Sequence, residues 1–447
     1  MGARITESEL YAHLWGTDDL RAVFDERARL QSWLDILAAL ARAQAAVGII
    51  PPESAKEITA AADVDRLDLA FVAEETRRTS HSTLGLIHGL QRVLPAPASE
   101  HVYLGATVQD VTDTWTVVAM REVGRVVWRD LRAVEALLVD LAERHRDTVM
   151  VGRTHGQPGS PITFGFKAAS WADEVRRHLD RLRDGQPRWL VGQLGGAVGV
   201  LGFFGDEGPA VRSAFCAELG LSDPGISWLT SRDRLAEFAS VLAMICATLA
   251  RIGNEVLELQ RPEIGELREP TTTDSVGSIT MPHKRNPERS EHLDTLARLV
   301  RASAGVLVDG MVQIHERDGR GWKAEWVAFP EVCLLTGVAL QTAIALLSGL
   351  EVDAEAMAAN VPAGAGSERV LATLTARFGK HEAQARMHAA IQPGAGRPAA
   401  LDETGLIDAG ELTALLATPA IAGAQAMVDE VVARSRAARL GETDQWV

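Results

Sequence analysis

Three polar segments of the sequence carry side chains that can bind an anion or move a proton. They are His101–Thr114, Gly152–Phe164 and Ser275–Glu291, and each is predicted to be a loop that runs into a helix. Such a junction offers free backbone N–H groups and the positive end of a helix dipole. The three segments are therefore suited to holding carboxylates.

Each of these segments, taken alone, also has an ordinary structural interpretation. Thr107 could cap the helix that starts near Asp110. His155 could be a buried, hydrogen-bonded histidine, and the basic run at 283–285 could be a solvated charge cluster. The functional interpretation is favoured because all three segments occur in one chain.

The balance of charged residues indicates which kinds of molecule this protein can bind. The 447 residues include 45 Lys and Arg against 60 Asp and Glu, which gives a formal net charge of −15. Nucleic-acid binding needs clustered Lys and Arg for the phosphates, so this balance argues against a nucleic-acid partner. A small anionic substrate stays compatible with it, because a few local cations suffice.

The cysteines and the apolar runs bear on location and cofactors. Cys216, Cys246 and Cys333 are far apart and match no metal-ligand spacing, and an odd, sparse count favours a reducing compartment. Neither an apolar signal core nor a run of about 18 apolar residues stands out, so we expect a cytoplasmic protein without membrane association. The sequence also lacks a phosphate-cradling glycine loop and a nicotinamide fingerprint, so we expect no metal and no cofactor.

Apolar residues recur at helical spacing over unusually long stretches. The clearest are Asp110–Arg146, Leu235–Leu259 and Glu291–His315, and few segments alternate with a period of two. Helices of this length with apolar residues on more than one face favour a multi-chain helical bundle, although a monomeric bundle is the simpler alternative. Breaks in the pattern occur at Pro95–Thr107 and at Val361–Ser367, where a C-terminal domain is expected to begin.

The third polar segment resembles the signature loop of a known enzyme family. Gly277–Pro287 reads G-S-I-T-M-P-H-K-R-N-P, which is similar to the G-S-S-x-M-P-x-K-x-N-P of the fumarase/aspartase superfamily. G-A-T-V-Q-D at 105–110, R-T-H at 153–155 and Q-L-G-G-A at 193–197 add to the resemblance. The adenylosuccinate lyase and 3-carboxy-cis,cis-muconate cycloisomerase branches are the most similar in these motifs.

This resemblance implies an all-α subunit of three domains and a D2 homotetramer. The expected domains are an N-terminal helical domain at 1–107, a central long-helix domain at 108–353 and a C-terminal helical domain at 354–447. It also implies that each active site gathers the three polar segments from three different subunits, and that the substrate is a small dicarboxylate.

The expected chemistry is removal of a proton beside a carboxylate. The product of that step is an aci-carboxylate, a dianion that needs preorganised electrostatic stabilisation. Lys284 and Asn286 fit this role, one by its charge and one by a hydrogen bond. The resemblance implies Ser278 as the base, made acidic enough by positive potential and solvent exclusion.

The resemblance also implies roles for other polar residues. His155 would act near the leaving group with Glu291 as its carboxylate partner, and His81 aligns with the general acid of the adenylosuccinate branch. The remaining side chains are expected to bind the substrate: Thr107, Thr154, Gln193 and Arg317.

Several departures from the family pattern make the expected pocket less polar. Val108 and Leu229 replace a serine and a histidine, Ile279 replaces the loop's second serine, and Trp322 and Trp326 occupy a stretch that binds the nucleotide in adenylosuccinate lyases. We therefore expect β-elimination from a C2-substituted succinate of the amino- or nitrosuccinate type, releasing fumarate by carbon–nitrogen cleavage. The alternatives are a lactonising 3-carboxy-cis,cis-muconate cycloisomerase, a less favoured adenylosuccinate lyase, and an inactive structural relative.

Overall fold

The computed structural model describes residues 5–8, 10–271, 280–281, 283–362, 365–390, 405–417 and 419–446. The predicted dominance of helices is confirmed. The helices are α1 (Asp18–Phe24), α2 (Glu26–Val47), α3 (Pro52–Ala61), α4 (Leu69–Thr79), α5 (Leu84–Arg92), α6 (Val108–Arg144), α7 (Phe164–Trp189), α8 (Gly208–Glu218), α9 (Asp233–Leu259), α10 (Glu288–Asp309), α11 (Gly319–Ser348), α12 (Ala354–Ala359), α13 (Ser367–Phe378), α14 (Lys380–Ala390), α15 (Ala409–Ala417) and α16 (Ala422–Gly441). Two short antiparallel sheets accompany them, β1 (Val149–Thr154) with β2 (Gln157–Thr163), and β3 (Leu267–Arg268) with β4 (Glu351–Val352).

Five long helices, α6, α7, α9, α10 and α11, pack side by side as the central bundle. Side-chain pairs fix their directions. Trp189, at the end of α7, donates its indole N–H to Glu237 near the start of α9, and Lys167 near the start of α7 pairs with Glu255 near the end of α9 at 2.6 Å. The two helices are therefore antiparallel, and the bundle has two distinct ends.

We call the end formed by the first turns of α6, α9 and α11 the proximal end, and the opposite end the distal end. At the proximal end the hydroxyl of Thr114 donates to the carbonyl of Gln193 at 3.0 Å. At the distal end the amide of Gln260 donates to the carbonyl of Arg285 at 3.2 Å, just before α10 begins. The N-terminus of α10 is thus at the distal end, unlike that of α6.

The predicted helix at Glu291–His315 is too long at its C-terminus. Helix α10 ends at Asp309. His315 has a φ of 55°, which is a left-handed backbone conformation. The buried Asp318 side chain accepts hydrogen bonds from the N–H groups of Ile314 and Arg320 and so starts α11. The helix therefore ends before the apolar pattern does, because Asp318 caps the next helix.

The main hydrophobic core runs through the N-terminal helices and the central bundle without interruption, from Leu20 to Trp446. A second, small core joins α13, α14 and α15 and consists of Val370, Leu374, Ala383, Ile407 and Leu412. Helix α16 packs back on α6 and α7, so part of the predicted 354–447 domain shares the main core. The two boundaries between the three predicted domains stay predictions.

The sequence was expected to contain no stretch apolar enough to span a membrane. Judged by length and composition alone, this expectation is wrong. Within the described residues, three segments meet that description: Asp233–Leu259, Gly319–Ser348 and Ala409–Gly441. The first two have a mean hydropathy of 1.7 over their most apolar windows, of which 67% and 61% is buried inside the subunit; in the third the buried share is 18%. Packing in the bundle accounts for the apolar composition of α9 and α11.

The segment after α16 is anchored in a slot between α6 and α7. Trp446 is 5% exposed, and its indole N–H donates to the carbonyl of Leu182 at 3.2 Å. A Cβ at Gly124 would lie 1.9 Å from the Trp446 ring, so a glycine is required on α6 for the indole to enter. Glu442 reinforces the attachment through ion pairs of 3.0 Å with both Arg132 and Arg176.

We predict that Trp446→Ala lowers the free energy of unfolding by about 3 kcal/mol, because a buried indole is removed and the slot cannot collapse fully. Leu440→Ala, at a side chain that is 90% exposed on α16, is the matched control and should change stability by less than about 0.5 kcal/mol. Chemical denaturation of the two variants beside the parent chain measures both effects. Equal stabilities for the two variants would show that the indole is not an anchor.

Candidate active site

Thr107 lies at the N-cap of α6, buried at the proximal end. The Asp110 carboxylate accepts a hydrogen bond from the Thr107 N–H at 2.8 Å, which ties the start of the helix to its first turn. The Thr107 hydroxyl oxygen accepts from the Arg317 guanidinium at 2.7 Å. The structure therefore brings together two of the predicted substrate-binding residues, and Thr107 is both a cap and a polar group beside a cation.

Asp110 also holds the turn that follows Gln193. Its carboxylate accepts from the N–H groups of Gly195 at 2.8 Å and Gly196 at 3.0 Å. Gly196 has a φ of 70°, a left-handed conformation that glycine adopts without strain. Burial raises the pKa of Asp110 to about 7, against the opposing effect of the N–H donors.

The side chain of Gln193 is fully buried and forms hydrogen bonds with other residues of the chain. Its amide nitrogen donates to Ser227 at 3.0 Å and to Asp110 at 3.4 Å, and its amide oxygen accepts from the Trp228 N–H at 2.9 Å. These bonds use both of its N–H donors. Gln193 therefore organises the proximal loops, and its predicted contact with substrate stays a prediction.

A buried charge cluster next to this turn was not singled out from the sequence. The Arg232 guanidinium forms two hydrogen bonds with Asp113, at 2.7 and 3.0 Å, and a further 2.9 Å bond with Glu325. Burial raises the pKa of the Glu325 carboxyl, opposed by Arg232. Two carboxylates share one guanidinium, so the cluster has an excess negative charge unless Glu325 binds a proton.

The segment around His155 differs from the predicted loop that runs into a helix. Residues 149–163 form the β1–β2 hairpin, with His155 and Gly156 as the two-residue turn between paired Thr154 and Gln157. Both turn residues have positive φ, 53° and 73°, as such tight hairpins require. Thr154 and His155 are exposed at the hairpin tip, which rules out the alternative of a buried core histidine.

The hairpin is fixed at the distal end by a buried ion pair. Arg153 donates to both oxygens of the fully buried Glu266, at 2.6 and 2.9 Å, and the Asn360 amide donates to the same carboxylate. Arg153 therefore positions the turn that carries Thr154 and His155.

The described part of the signature segment, from residue 283 onward, also lies at the distal end. Ser278, the predicted base, lies outside the described residues. Lys284 is exposed just before α10, the Asn286 amide donates to Glu288 at 3.2 Å, and Glu291 is exposed in the first turn of α10. No hydrogen bond joins Glu291 to His155 among the described residues of this subunit, so the structure does not bring together that predicted pair.

His81 follows α4, at a half-buried position. Its Nδ1 accepts the N–H of Leu84, which helps to begin α5. His81 is thus held in place by its own segment, while its predicted role as general acid stays a prediction.

The predicted site residues divide between the two ends of the subunit. Thr107, Gln193 and Arg317 lie at the proximal end, whereas Thr154, His155, Lys284, Asn286 and Glu291 lie at the distal end. Helix α6 alone, with 37 residues, spans roughly 55 Å at 1.5 Å per residue. No single subunit can therefore bring both groups to one small substrate.

The chain is similar to known enzymes over most of its length. The profile of the lyase family Lyase_1 matches residues 15–302. The chain is 40% identical over 386 residues to an N-acetyl-S-(2-succino)cysteine lyase of Dickeya dadantii, with 86% of this chain and 85% of the relative covered. It is also 40% identical over 385 residues to a 3-carboxy-cis,cis-muconate cycloisomerase of Pseudomonas aeruginosa, with 85% and 84% covered.

A crystal structure of the 3-carboxy-cis,cis-muconate lactonizing enzyme from Pseudomonas putida superposes with a TM-score of 0.86 at 34% identity, covering 96% of this chain and 99% of that one. The chain belongs to the fumarase/aspartase superfamily. The predicted family and fold class are therefore confirmed, and the chain is an enzyme of a lyase superfamily.

The cysteines of this superfamily member are free thiols in the interior of the subunit. All three are buried, and burial raises the pKa of the Cys216 thiol to about 11 and that of Cys246 to about 12. Such thiols are poor nucleophiles at neutral pH.

The raised pKa of Asp110 predicts a pH-dependent stability. The folded protein binds this proton more tightly than the unfolded chain, whose aspartates titrate near 3.8. The stabilisation is complete below pH 3.8 and is lost as pH rises through about 7. We therefore expect the melting temperature of the parent chain, relative to that of Asp110→Asn, to fall between pH 5 and pH 7 and to level off above. A difference that stays constant across that range would contradict the assignment.

Proposed function

We propose that this enzyme catalyses β-elimination from a 2-substituted succinate and releases fumarate through an aci-carboxylate intermediate. The observation that carries the proposal is the contact between Arg317 and Thr107 at the buried N-terminus of α6. A guanidinium, a hydroxyl and the positive end of a long helix dipole together form a binding site for a carboxylate.

In this proposal the distal groups act on the same substrate from neighbouring subunits. Ser278 takes the proton from the carbon beside one carboxylate, and the electron pair moves into that carboxylate, where Lys284 and Asn286 stabilise the added charge. When the electron pair returns, a carbon–carbon double bond forms and the bond to the leaving group breaks. The leaving group departs with the bonding electrons, and His81 or His155 supplies its proton.

Residues that differ from the family pattern bear on the identity of the leaving group. The loss of polar residues at Val108, Leu229 and Trp322 supports an apolar wall, which suits a weakly basic group such as nitrite. One relative carries a name that specifies a succinated cysteine, so carbon–sulfur cleavage joins carbon–nitrogen cleavage as a candidate.

Cycloisomerisation is the second candidate function, because a cycloisomerase relative has the same identity as the succinocysteine lyase over nearly the same length. It uses a similar anionic intermediate but forms a lactone. Adenylosuccinate cleavage has less support, since Trp322 and Trp326 offer few partners to a nucleotide phosphate.

The proposed assembly is a homotetramer with each site shared between subunits. The separation of the two groups of site residues supports it, and so does an exposed apolar surface around the end of α10. That surface includes Val306, Val308, Met311, Val312 and Ile314, of which Val312 is 83% exposed. Apolar patches of this kind mark surfaces that pack against another chain.

The first test is a panel of 2-substituted succinates, read by fumarate formation, beside 3-carboxy-cis,cis-muconate, read by lactone formation. We expect fumarate from at least one succinate, and Ser278→Ala should lower kcat by roughly 100- to 10,000-fold because a general base is lost. Ser275→Ala in the same loop is the control and should retain activity. Lactone formation without any fumarate would replace this proposal with the cycloisomerase.

The second test addresses the shared site. Thr107→Val and Lys284→Met should each be inactive alone, but co-expressed subunits should regain about a quarter of the parent activity, because each position is intact in half of the subunits that meet at a site. Co-expression of Lys284→Met with Asn286→Ala is the control, since both residues come from the same segment and no intact combination forms. Absence of recovery in the first pair would contradict a site built from two subunits.

A further inference from the structure

A cavity of about 480 Å³ lies at the proximal end, between the N-terminal helices and the central bundle. Helices α2, α4, α5, α6 and α11 all contribute to its wall. Its lining is mainly apolar and aromatic, with Trp33, Trp115 and Trp326 as the largest side chains. Ligand cavities in proteins have volumes of about 300 to 1,000 Å³, so this one can hold an organic molecule.

Two arginines line this cavity, Arg27, which forms an ion pair with Asp65, and Arg29. The guanidinium carbon of Arg29 lies 5.8 Å from the centre of the Trp33 ring and 5.9 Å from that of Trp115. These two cation–π contacts hold the guanidinium against the indoles without supplying a hydrogen-bond acceptor. Glu26 also lines the cavity but forms no ion pair with Arg29.

Two buried donors at the cavity have no acceptor within the part of the chain that the structure describes. They are the Nε of Arg29 and the indole N–H of Trp33, a residue that is 9% exposed. A buried donor without a partner destabilises the protein, because it has lost its hydrogen bonds to water. Two such donors at one apolar cavity indicate that a bound molecule supplies the acceptor.

The position of the cavity connects it to the proposed site. Its wall includes Ser82, which directly follows His81, and Thr112, five residues after Thr107 on α6. Five residues of α-helix span about 7.5 Å. A substrate whose succinate half binds at Thr107 could therefore extend its leaving group past His81 into the cavity.

Resting on the elimination proposed above, we propose that this cavity binds the leaving-group half of the substrate, and that this half is a small organic acid with an apolar body whose carboxylate pairs with Arg29. Nitrite or ammonia would fill only a small part of the volume, since one water molecule occupies about 30 Å³. The cavity thus favours a larger leaving group with its own anionic end.

The test is direct binding of a matched pair of probes to the full-length protein, N-acetyl-L-methionine and its uncharged amide, followed by tryptophan fluorescence and calorimetry. The parent chain should bind the acid at least tenfold more tightly than the amide, and Arg29→Gln should abolish this preference. Arg29→Lys should retain part of it, which separates loss of charge from loss of folding. Arg77→Gln is the control, because Arg77 pairs with Glu74 on the exposed side of α4 and lies outside the cavity.

Equal affinities for the two probes, no measurable binding of either, or an unchanged preference in Arg29→Gln would each overturn the proposal. In turnover, Arg29→Gln should raise KM at least tenfold for a substituted succinate whose leaving group carries a carboxylate, with kcat little changed. It should leave KM unaltered for a succinate with a small leaving group.

The two proposals can fail separately. If no succinate yields fumarate while the acid still binds in an Arg29-dependent way, the elimination is wrong and the cavity assignment stands. If fumarate forms but the acid has no preference over the amide, the elimination stands and the cavity assignment is wrong.

Discussion

The first two turns of α6 carry a buried polar face, and the proximal end is built to satisfy it. Buried donors and acceptors cost free energy unless each has a partner, so several groups on this face fix other segments. Gln109 donates to the carbonyl of Leu229 at 2.7 Å, and Asp113 binds Arg232. Asp110 binds the backbone after Gln193. One helix terminus thereby orders two loops and, through Glu325, the start of α11.

This arrangement explains why a costly charge cluster is retained in the core. Replacing a buried ion pair with apolar groups is often neutral or stabilising, so stability alone is a weak reason to keep one. Arg232 joins α6 to α11 in a single geometry, and α11 begins immediately after the stretch that carries Arg317. The cluster thus holds the guanidinium of Arg317 within reach of Thr107, and it does so from within one subunit.

Much of the fold could be predicted from the sequence, because helix periodicity is a local signal. The predicted and observed ends of α9 differ by two residues at most. The predicted C-terminal end of α10 was wrong, because Asp318 caps the next helix while the apolar pattern of the sequence continues. The hairpin at His155 was missed because a two-residue turn needs left-handed φ at His155 as well as at Gly156, and a histidine there gives no clear signal.

The residues of the candidate site could be predicted only where they belong to one contiguous sequence motif. Thr107, His155 and Lys284 belong to contiguous motifs, so a single stretch of sequence identifies each one. Arg232 pairs with residues 119 and 93 positions away, and Arg29 meets Trp115 from a different helix. Such pairings depend on the packing of helices, which periodicity predicts only in general terms.

The two ends of the subunit carry different parts of the proposed reaction. In the proposed mechanism, proton abstraction and stabilisation of the dianion depend on the distal segments. In the same proposal, the identity and size of the leaving group depend on the proximal end, where α2, α6 and α11 meet. If the two ends join only across subunits, as proposed, the proximal cavity can differ between relatives without a change in the geometry of the base. On that proposal, the side chains around Arg29 select the leaving group that this enzyme accepts.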